Sequence, residues 1–367
     1  NKIKLFFAFW GPGFLGAPPA PGGSAPAAEE SPAAAESEAP AAESETPAES
    51  EAPAEETVEP VTLNIGYMNN YGSLWSVLAA DQMGDFEEQG STVNLLSFAD
   101  GPTIISAMES GSIDLGYIGD GAHKLCVLGN AEVIALSHIS NGDAVIGGPN
   151  VTSLEELEGK VVAYAAGTSS ETILTQALSS VGLTMDDITA MNMDASAIVT
   201  AMLTGDVDAC ALWSPESLTV LEQVEGATKL ADNIAFSDTS VSLASWIAMP
   251  DRVESDHDVM VRFVTALFKG MDYAADEHYD EVAQWVADLL AIDYDTAYNQ
   301  RGDAEWLTGE DVYNGIADGT VEGYYRLQQD IMLTNPQSGV TESVPVEDYV
   351  AFDIMTEAGD ALYGAAA

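Results

Sequence analysis

Asp100 to Asp114 reads D-G-P-T-I-I-S-A-M-E-S-G-S-I-D, and Asp194 to Asp208 reads D-A-S-A-I-V-T-A-M-L-T-G-D-V-D. At one constant offset of 94 residues, Asp100/Asp194, Ile104/Ile198, Ala107/Ala201, Met108/Met202, Gly111/Gly205 and Asp114/Asp208 are identical, and Ile113/Val207 is conservative. Each copy reads as a helix opened by an acid, ended by a glycine and followed by a buried strand. A shared offset running through the G-x-[IV]-D ending marks an internal repeat of two α/β lobes. A near-register at 95 residues also sets Tyr71-Gly72-Ser73 against Ala166-Gly167-Thr168.

Working outward, Thr62–Tyr67, Thr92–Ser97, Ile113–Ile118 and Glu132–Ser137 read as strands, with helices over Ser73–Asp81 and Pro102–Ser110 between them. Strands alternating with helices predict a parallel, doubly wound layer. The second lobe runs from about Val151 to Asp238. Ser153 with Glu156 has capping-box spacing for a helix over Ser153–Leu157. Lys160 to Leu174 follows as a buried strand, a tight Gly167-Thr168-Ser169 turn and a helix start that aims backbone N–H groups and hydroxyls at one spot. Asn141–Asn150 leads out of the first lobe and Ser240–Pro250 leads back, so two extended crossings form a hinge. From Asp251 onward the spacing is helical: Val259–Asp276, Asp280–Leu290, Tyr294–Arg301, Thr308–Ile316 and Val321–Met332. The fold class expected is α/β with two lobes, and the helical end packs on the first lobe. The expected division is residues 1–23 as a signal-like leader, 24–60 as a linker, 61–145 with 246–367 as lobe one, and 146–245 as lobe two.

In the leader, Lys2 and Lys4 precede L-F-F-A-F-W, as in a secretion signal. Pro21 stands before Gly22-Gly23-Ser24, where a lipoprotein leader would carry its lipidated cysteine. The Ala/Glu/Pro/Ser stretch of 24–60 cannot bury enough apolar surface to fold and reads as an extended tether. An extracytoplasmic location follows from both.

The chain holds 60 acidic and 10 basic residues, a formal charge of −50. A field of this sign repels nucleic acid and anionic membranes. Cys126 and Cys210 lie apart in apolar runs and read as buried thiols. His123, His138, His257 and His278 share no metal-ligand spacing, so neither metal nor cofactor is expected. Arg301-Gly302-Asp303, in a helical region, reads as a coincidental match to an adhesion motif. Trp285, Trp306, Tyr324 and Tyr325 read as packing.

In an open α/β sheet, ligands sit beyond the carboxyl ends of the strands. The first lobe offers Asn69, Asn70 and Tyr71, then Asp100, then Asp120 and Gly121. The second offers Thr168, Ser169 and Ser170, then Asp194, then Trp213 and Ser214. The 94-residue offset makes Asp120 and Ser214 equivalent. Two lobes facing these turns across a hinge can enclose a small molecule.

M-E-S-G-S-I-D-L-G-Y-I-G-D-G, L-E-G-K-V-V-A-Y-A-A-G-T-S and G-D-V-D-A-C-A-L-W-S-P-E resemble the substrate-binding proteins of ABC importers. The most similar branch serves nitrate, taurine, alkanesulfonates and thiamine-precursor pyrimidines. The resemblance implies the two-lobed periplasmic-binding-protein fold, type II-like, a small-molecule ligand, a membrane permease as partner, and a monomer with no catalysis. It implies ligand contacts from Thr168 and Ser169, from Asp120 and Gly121, and from Trp213. Two residues depart from the pattern. Cys210 stands where relatives carry an aromatic, and Asp120 puts an acid in the cleft, with His123 and Lys124 the only local cations. An acid there disfavours a fully anionic ligand and suits a ligand with a nitrogen, on which Trp75, Trp213 and Trp246 could stack. The plainer readings are that Asp120 caps its helix and that Trp75 is core. Two other functions share the fold: a sensor domain, and a pyrimidine-synthesising enzyme. The enzyme would need a cysteine-rich iron motif that two isolated cysteines do not supply.

Overall fold

The computed structural model describes residues 58–275 and 277–364. The expected leader and nearly all of the expected linker fall outside these residues. The first sheet has six strands: β1 Val61–Met68, β2 Ser91–Phe98, β3 Leu115–Ile118, β4 Glu132–Ser140, β10 Leu243–Ala248 and β11 Ala304–Trp306. The second has five: β5 Ala144–Gly147, β6 Val161–Tyr164, β7 Thr189–Asn192, β8 Ala209–Leu212 and β9 Thr228–Asp232.

Strand order is β2-β1-β3-β10-β4-β11 in the first sheet and β7-β6-β8-β5-β9 in the second. The second order repeats the first without its last strand. In each, three parallel strands come first, and the fourth runs antiparallel to both of its neighbours. That fourth strand is β10 in one sheet and β5 in the other. Each adjoins a crossing between the lobes, so it enters its sheet from the opposite end. The layers are therefore mixed, where the alternation of strands and helices predicts purely parallel ones. The crossings are tied together by a backbone bond from Ser140 N to Ser242 O (2.7 Å), and Asn141 N bonds Asp303 O (2.6 Å) in the segment before β11.

The repeat has a local chemical cause. Asp100 and Asp194 both cap their helices, accepting from Thr103 N and Ala197 N. Gly111 and Gly205 both take φ of 74° just past the helix, a left-handed turn that favours glycine. Asp114 Oδ2 then accepts from Asn64 N at 2.8 Å, and Asp208 Oδ2 from Val161 N at 2.9 Å. Each aspartate thus fastens the strand after its helix to its parallel neighbour, β1 in the first sheet and β6 in the second. The helix-start register differs from expectation. The N-caps are Asn70 and Thr168, so Gly167 precedes its cap and Gly72 follows its own. The expected helix over Ser153–Leu157 is a single tight turn, Glu155–Leu157, and Glu156 accepts from Thr152, leaving Ser153 without the capping role.

The first lobe carries the large core. It combines the apolar faces of its sheet with helices His257–Ala274, Tyr279–Leu290, Thr320–Thr334 and Phe352–Tyr363. The second lobe has two smaller clusters, one centred on Val162, Leu174 and Leu178, the other on Ala163, Ile198 and Cys210. Cys126 and Cys210 are free and buried. No helix among the described residues is long and apolar enough to cross a membrane.

Candidate functional site

Between the lobes lies a cavity lined from both sides, the placement expected of a small-molecule site. Its walls come from the carboxyl ends of strands in both sheets: Met68 and Asn70 after β1, Gly119 and Asp120 after β3, Thr168 and Ser169 after β6, Trp213 and Ser214 after β8. The crossings add Gly142, Asp143 and Ser242, and the segment leading into β11 adds Gln300, Asp303 and Trp306. Tyr117 and His138 close the first-lobe side.

The helix opening at Thr168 approaches the first lobe closely. Thr168 caps it, accepting from Ser170 N while donating to Ala165 O at 2.7 Å. Opposite stands Gly121, where a Cβ would lie 2.1 Å from the Thr168 carbonyl oxygen. Only glycine allows this approach. Lys124 and Glu171 pair across the same gap at 3.4 Å. Glu171 also accepts from Gly167 N at 2.6 Å, which holds the turn before the helix.

Three carboxyl groups face the cavity. Burial pushes Asp120 up to about 6, against a short bond from Gln328 Nε2 (2.6 Å). Leu243 N and the Thr172 hydroxyl also bond it, while the charge of Asp143 adds to the rise. Asp143 is raised by burial, opposed by hydrogen bonds from Ser169, Asn233 and Ser242. Burial pushes Asp303 up to about 6, with Ser214 and Lys229 opposing and Asp143 adding. The lining contains no Lys or Arg among the described residues. His138 is held neutral, its basicity pushed down to about 3 by burial. His123 lies fully buried behind the wall, bonded through Nε2 to Ser245 Oγ at 2.8 Å and pushed down to about 4 by burial. The site is therefore an aromatic-walled chamber of negative charge.

Of the sequence candidates, Asn70, Asp120, Thr168, Ser169, Trp213 and Ser214 line this cavity. The others do not. Trp75 is fully buried in the first-lobe core, its indole N–H donated to Ser137 Oγ. Trp246 is also fully buried, packed against Tyr117 and Phe263. Tyr71 stacks on Tyr279 beneath the surface. Ser170 faces inward and ties β6 to β8, accepting from Ala165 N and donating to Ala211 O. Asp100 and Asp194 are spent as helix caps, and Asn69 is exposed, accepting from Ser97 Oγ. Gly121 acts through its backbone at the lobe contact. Asp120 does not cap its helix with its side chain; the carboxylate turns towards Gln328 and Leu243 N.

A profile of the family described as "NMT1/THI5 like" matches residues 73–278. The chain belongs to the NMT1/THI5-like family. A provisionally named binding protein of Brucella abortus (strain 2308) is 27% identical over 274 residues, covering 75% of this chain and 86% of its own. Among solved structures, the fold matches the nitrate-binding protein NrtA of Synechocystis PCC 6803, with a TM-score of 0.69 at 14% identity over 83% of this chain and 90% of that one. It also matches the alkanesulfonate-binding protein SsuA of Xanthomonas axonopodis pv. citri bound to MOPS, with a TM-score of 0.60 at 20% identity over 80% and 99%. The desulfurization enzyme DszB has the same architecture, with a TM-score of 0.59 at 16% identity over 82% and 99%. The fold is thus the periplasmic-binding-protein fold, with the helical end packed on lobe one.

Within this family frame, the lining residues that sequence reading misses are instructive. Tyr117 and His138 lie on β3 and β4, where alternation says only that a side chain faces some layer. Asp143 sits in a crossing recognised as such, but nothing local shows that its carboxylate turns into the cleft. Gln300, Asp303 and Trp306 belong to a stretch predicted as helix and packing. It is instead a 3₁₀ turn, Asn299–Asp303, followed by β11, which adds to the edge of the first sheet beside β4. The adhesion-like Arg301-Gly302-Asp303 therefore contributes a cavity acid. A hydrophilic Gly-Asp pair just before an aromatic strand was the available signal.

Proposed function

We propose that this protein is an extracytoplasmic solute-binding protein that closes its two lobes on a small cationic, nitrogen-bearing molecule and delivers it to an ABC permease. One observation carries the ligand class: Asp120, Asp143 and Asp303 line one cavity with no Lys or Arg among the described lining residues, and the His138 that joins them is neutral. Like charges in a closed low-dielectric space raise one another's pKa and oppose closure. A bound cation offsets that repulsion, and an anion adds to it. Trp213, Trp306 and Tyr117 supply aromatic faces that suit a cation or a flat ring. Family membership supports the binding role, and the two crossings support closure as its mechanism.

The reading assigns no catalysis. Cys126 and Cys210 do not line the cavity, and burial pushes the Cys210 thiol up to about 12, far from a reactive thiolate. A monomer suffices, because both jaws belong to one chain.

The test is isothermal titration of the folded protein with benzylamine and 4-aminopyridine against ethanesulfonate and nitrate at pH 7.5. Binding of the cationic probes with none of the anions supports the reading. Binding of ethanesulfonate or nitrate with neither cation overturns the ligand class.

A further inference from the structure

We propose that Asp303 and Ser214 together form the anchor of the cavity, a pair of atoms that reads an N–H group on the solute's cationic head. This rests on the cationic reading above and narrows it.

The three carboxylates are not equivalent. Asp120 Oδ1 already accepts from Gln328 Nε2 at 2.6 Å and Leu243 N at 3.4 Å. Asp143 Oδ2 already accepts from Asn233 Nδ2 at 2.9 Å and Ser242 Oγ at 3.2 Å. These two are held by the protein and set the charge of the chamber. Asp303 Oδ2 is buried and has no hydrogen-bond partner within 3.5 Å, and the Ser214 hydroxyl, only 6% exposed, has none either. The side-chain hydrogen bond that bears on the Asp303 carboxyl is a longer one from Ser214 itself. Both residues line the cavity. They come close together, since a Cβ built on Gly142 would lie 3.2 Å from Asp303 Cβ and 3.5 Å from Ser214 Cβ.

Buried polar atoms in folded proteins are nearly always fully bonded, so a carboxylate and a hydroxyl that have only a long contact with each other on a cavity wall call for a further partner from outside the chain. An ionised carboxylate only accepts, and a hydroxyl can turn to accept or donate. A group presenting two N–H donors, such as a primary ammonium or an amino-substituted cationic ring, meets both atoms. A fully methylated ammonium carries the charge but no N–H, and gives neither atom a further partner. Asp303 belongs to the first lobe and Ser214 to the second. The head group is therefore gripped by both only in the closed state, which couples recognition of the N–H to closure. The neighbouring Trp213 offers the flank for the rest of the solute.

The experiment is titration of wild type, Asp303→Asn and Ser214→Ala with benzylamine and benzyltrimethylammonium, with thermal melts of each variant. Wild type is expected to bind benzylamine at least about tenfold tighter than its trimethyl counterpart, the range for a charge-assisted hydrogen bond. Asp303→Asn should lose at least about tenfold for benzylamine and bring the ratio of the two probes towards one. Ser214→Ala should lose roughly three- to tenfold for benzylamine alone. If Asp303→Asn does not melt cooperatively, the ratio measured on Ser214→Ala decides. Equal binding of both probes by wild type, or an unchanged ratio in the variants, overturns the anchor and leaves the cationic reading standing. Failure of both amines to bind overturns the anchor, and binding of ethanesulfonate in their place overturns the cationic reading as well.

Discussion

Asp303 illustrates how a single buried acid couples stability to ligand binding. Its carboxyl titrates near 6 in the folded chain, above the ordinary value of 3.8. The folded state thus holds the proton more tightly than the unfolded chain does. An acid raised in this way costs stability once ionised, and the cost fades as pH falls through about 6 and is gone near the unfolded value. Whole-protein melts mix this with His123 and His138. These are buried neutral and lose stability as pH falls below the ordinary histidine range. A variant comparison isolates the acid. Asp303→Asn should be more stable than wild type by about 2 kcal/mol at pH 7.5, with the advantage shrinking below pH 6 and vanishing near 4. Urea unfolding across that pH range checks it, and a constant difference at all pH values contradicts the assignment. Benzylamine affinity should move the other way, weakening as pH falls through 6, because the cation needs the ionised form. At this scale the sequence is only partly legible. Trp213 and Ser214 stand out because they follow a recognisable strand end. Trp75 and Trp246 look equally eligible on paper, but the first lies on a helix turned towards the core and the second on a central strand covered on both faces. Asp143 and Asp303 act through where their backbones are carried, which no local pattern records.

The helix, turn and strand from Asp100 to Ile118 and from Asp194 to Leu212 form the element most fully written in the sequence. Its acid, glycine and second acid each have one local task, and each task is visible in the spacing. The last of them makes a prediction. Asp208→Ala leaves Val161 N without its 2.9 Å bond inside the second lobe and should cost about 1–2 kcal/mol of stability. Asp114→Ala should cost somewhat more, because Asp114 also pairs with Arg252 at 3.1 Å. Neither change touches the cavity, so benzylamine affinity should be unaltered in both. Denaturant melts and titration together check this, and a loss of affinity with intact stability would give these acids a different role. The repeat is less legible at the first strand of each lobe. Partners of β3 and β8 are 94 residues apart, whereas Ile65 and Val162, which pair with Leu115 and Ala209, are 97 apart. The paired positions of β1 and β3 are 50 apart and those of β6 and β8 are 47 apart, so lobe one has three more residues in that span. The caps Asn70 and Thr168 stand 98 apart, which is why the 95-residue register of the helix starts misplaces the cap. β11 is the least legible element. Three residues give no periodicity, and the edge it joins is created by β4, more than 160 positions earlier.

The two jaws of the molecule stand together. The helix opening at Thr168 rests on the backbone of Gly121, Lys124 reaches Glu171, and Gly167 sits 3.3 Å, measured from its Cβ position, from Pro102 Cγ. None of these contacts belongs to the core of either lobe, so each can part while both lobes stay folded. The ion pair in this set is mostly buried. Lys124→Ala leaves the Glu171 carboxylate with the Gly167 N–H alone and should weaken ligand binding by about 1–3 kcal/mol, the range for a charged group left short of its partner. The backbone contact is different in kind. A methyl group at residue 121 has no space against the Thr168 carbonyl, and a main-chain atom at a helix start cannot swing aside as a side chain can. Gly121→Ala should therefore leave the lobes folded and hold them apart. Its melting temperature should match wild type, and its benzylamine affinity should fall by at least about tenfold, since a solute held by one jaw loses the contacts of the other. Small-angle scattering gives the direct readout. Wild type should compact when benzylamine is added, and Gly121→Ala should keep its wider radius at ligand concentrations that saturate wild type. If the variant compacts as wild type does, closure does not pass through the Gly121–Thr168 contact. If wild type binds without compacting, the hinge formed by the two crossings does not serve capture at all.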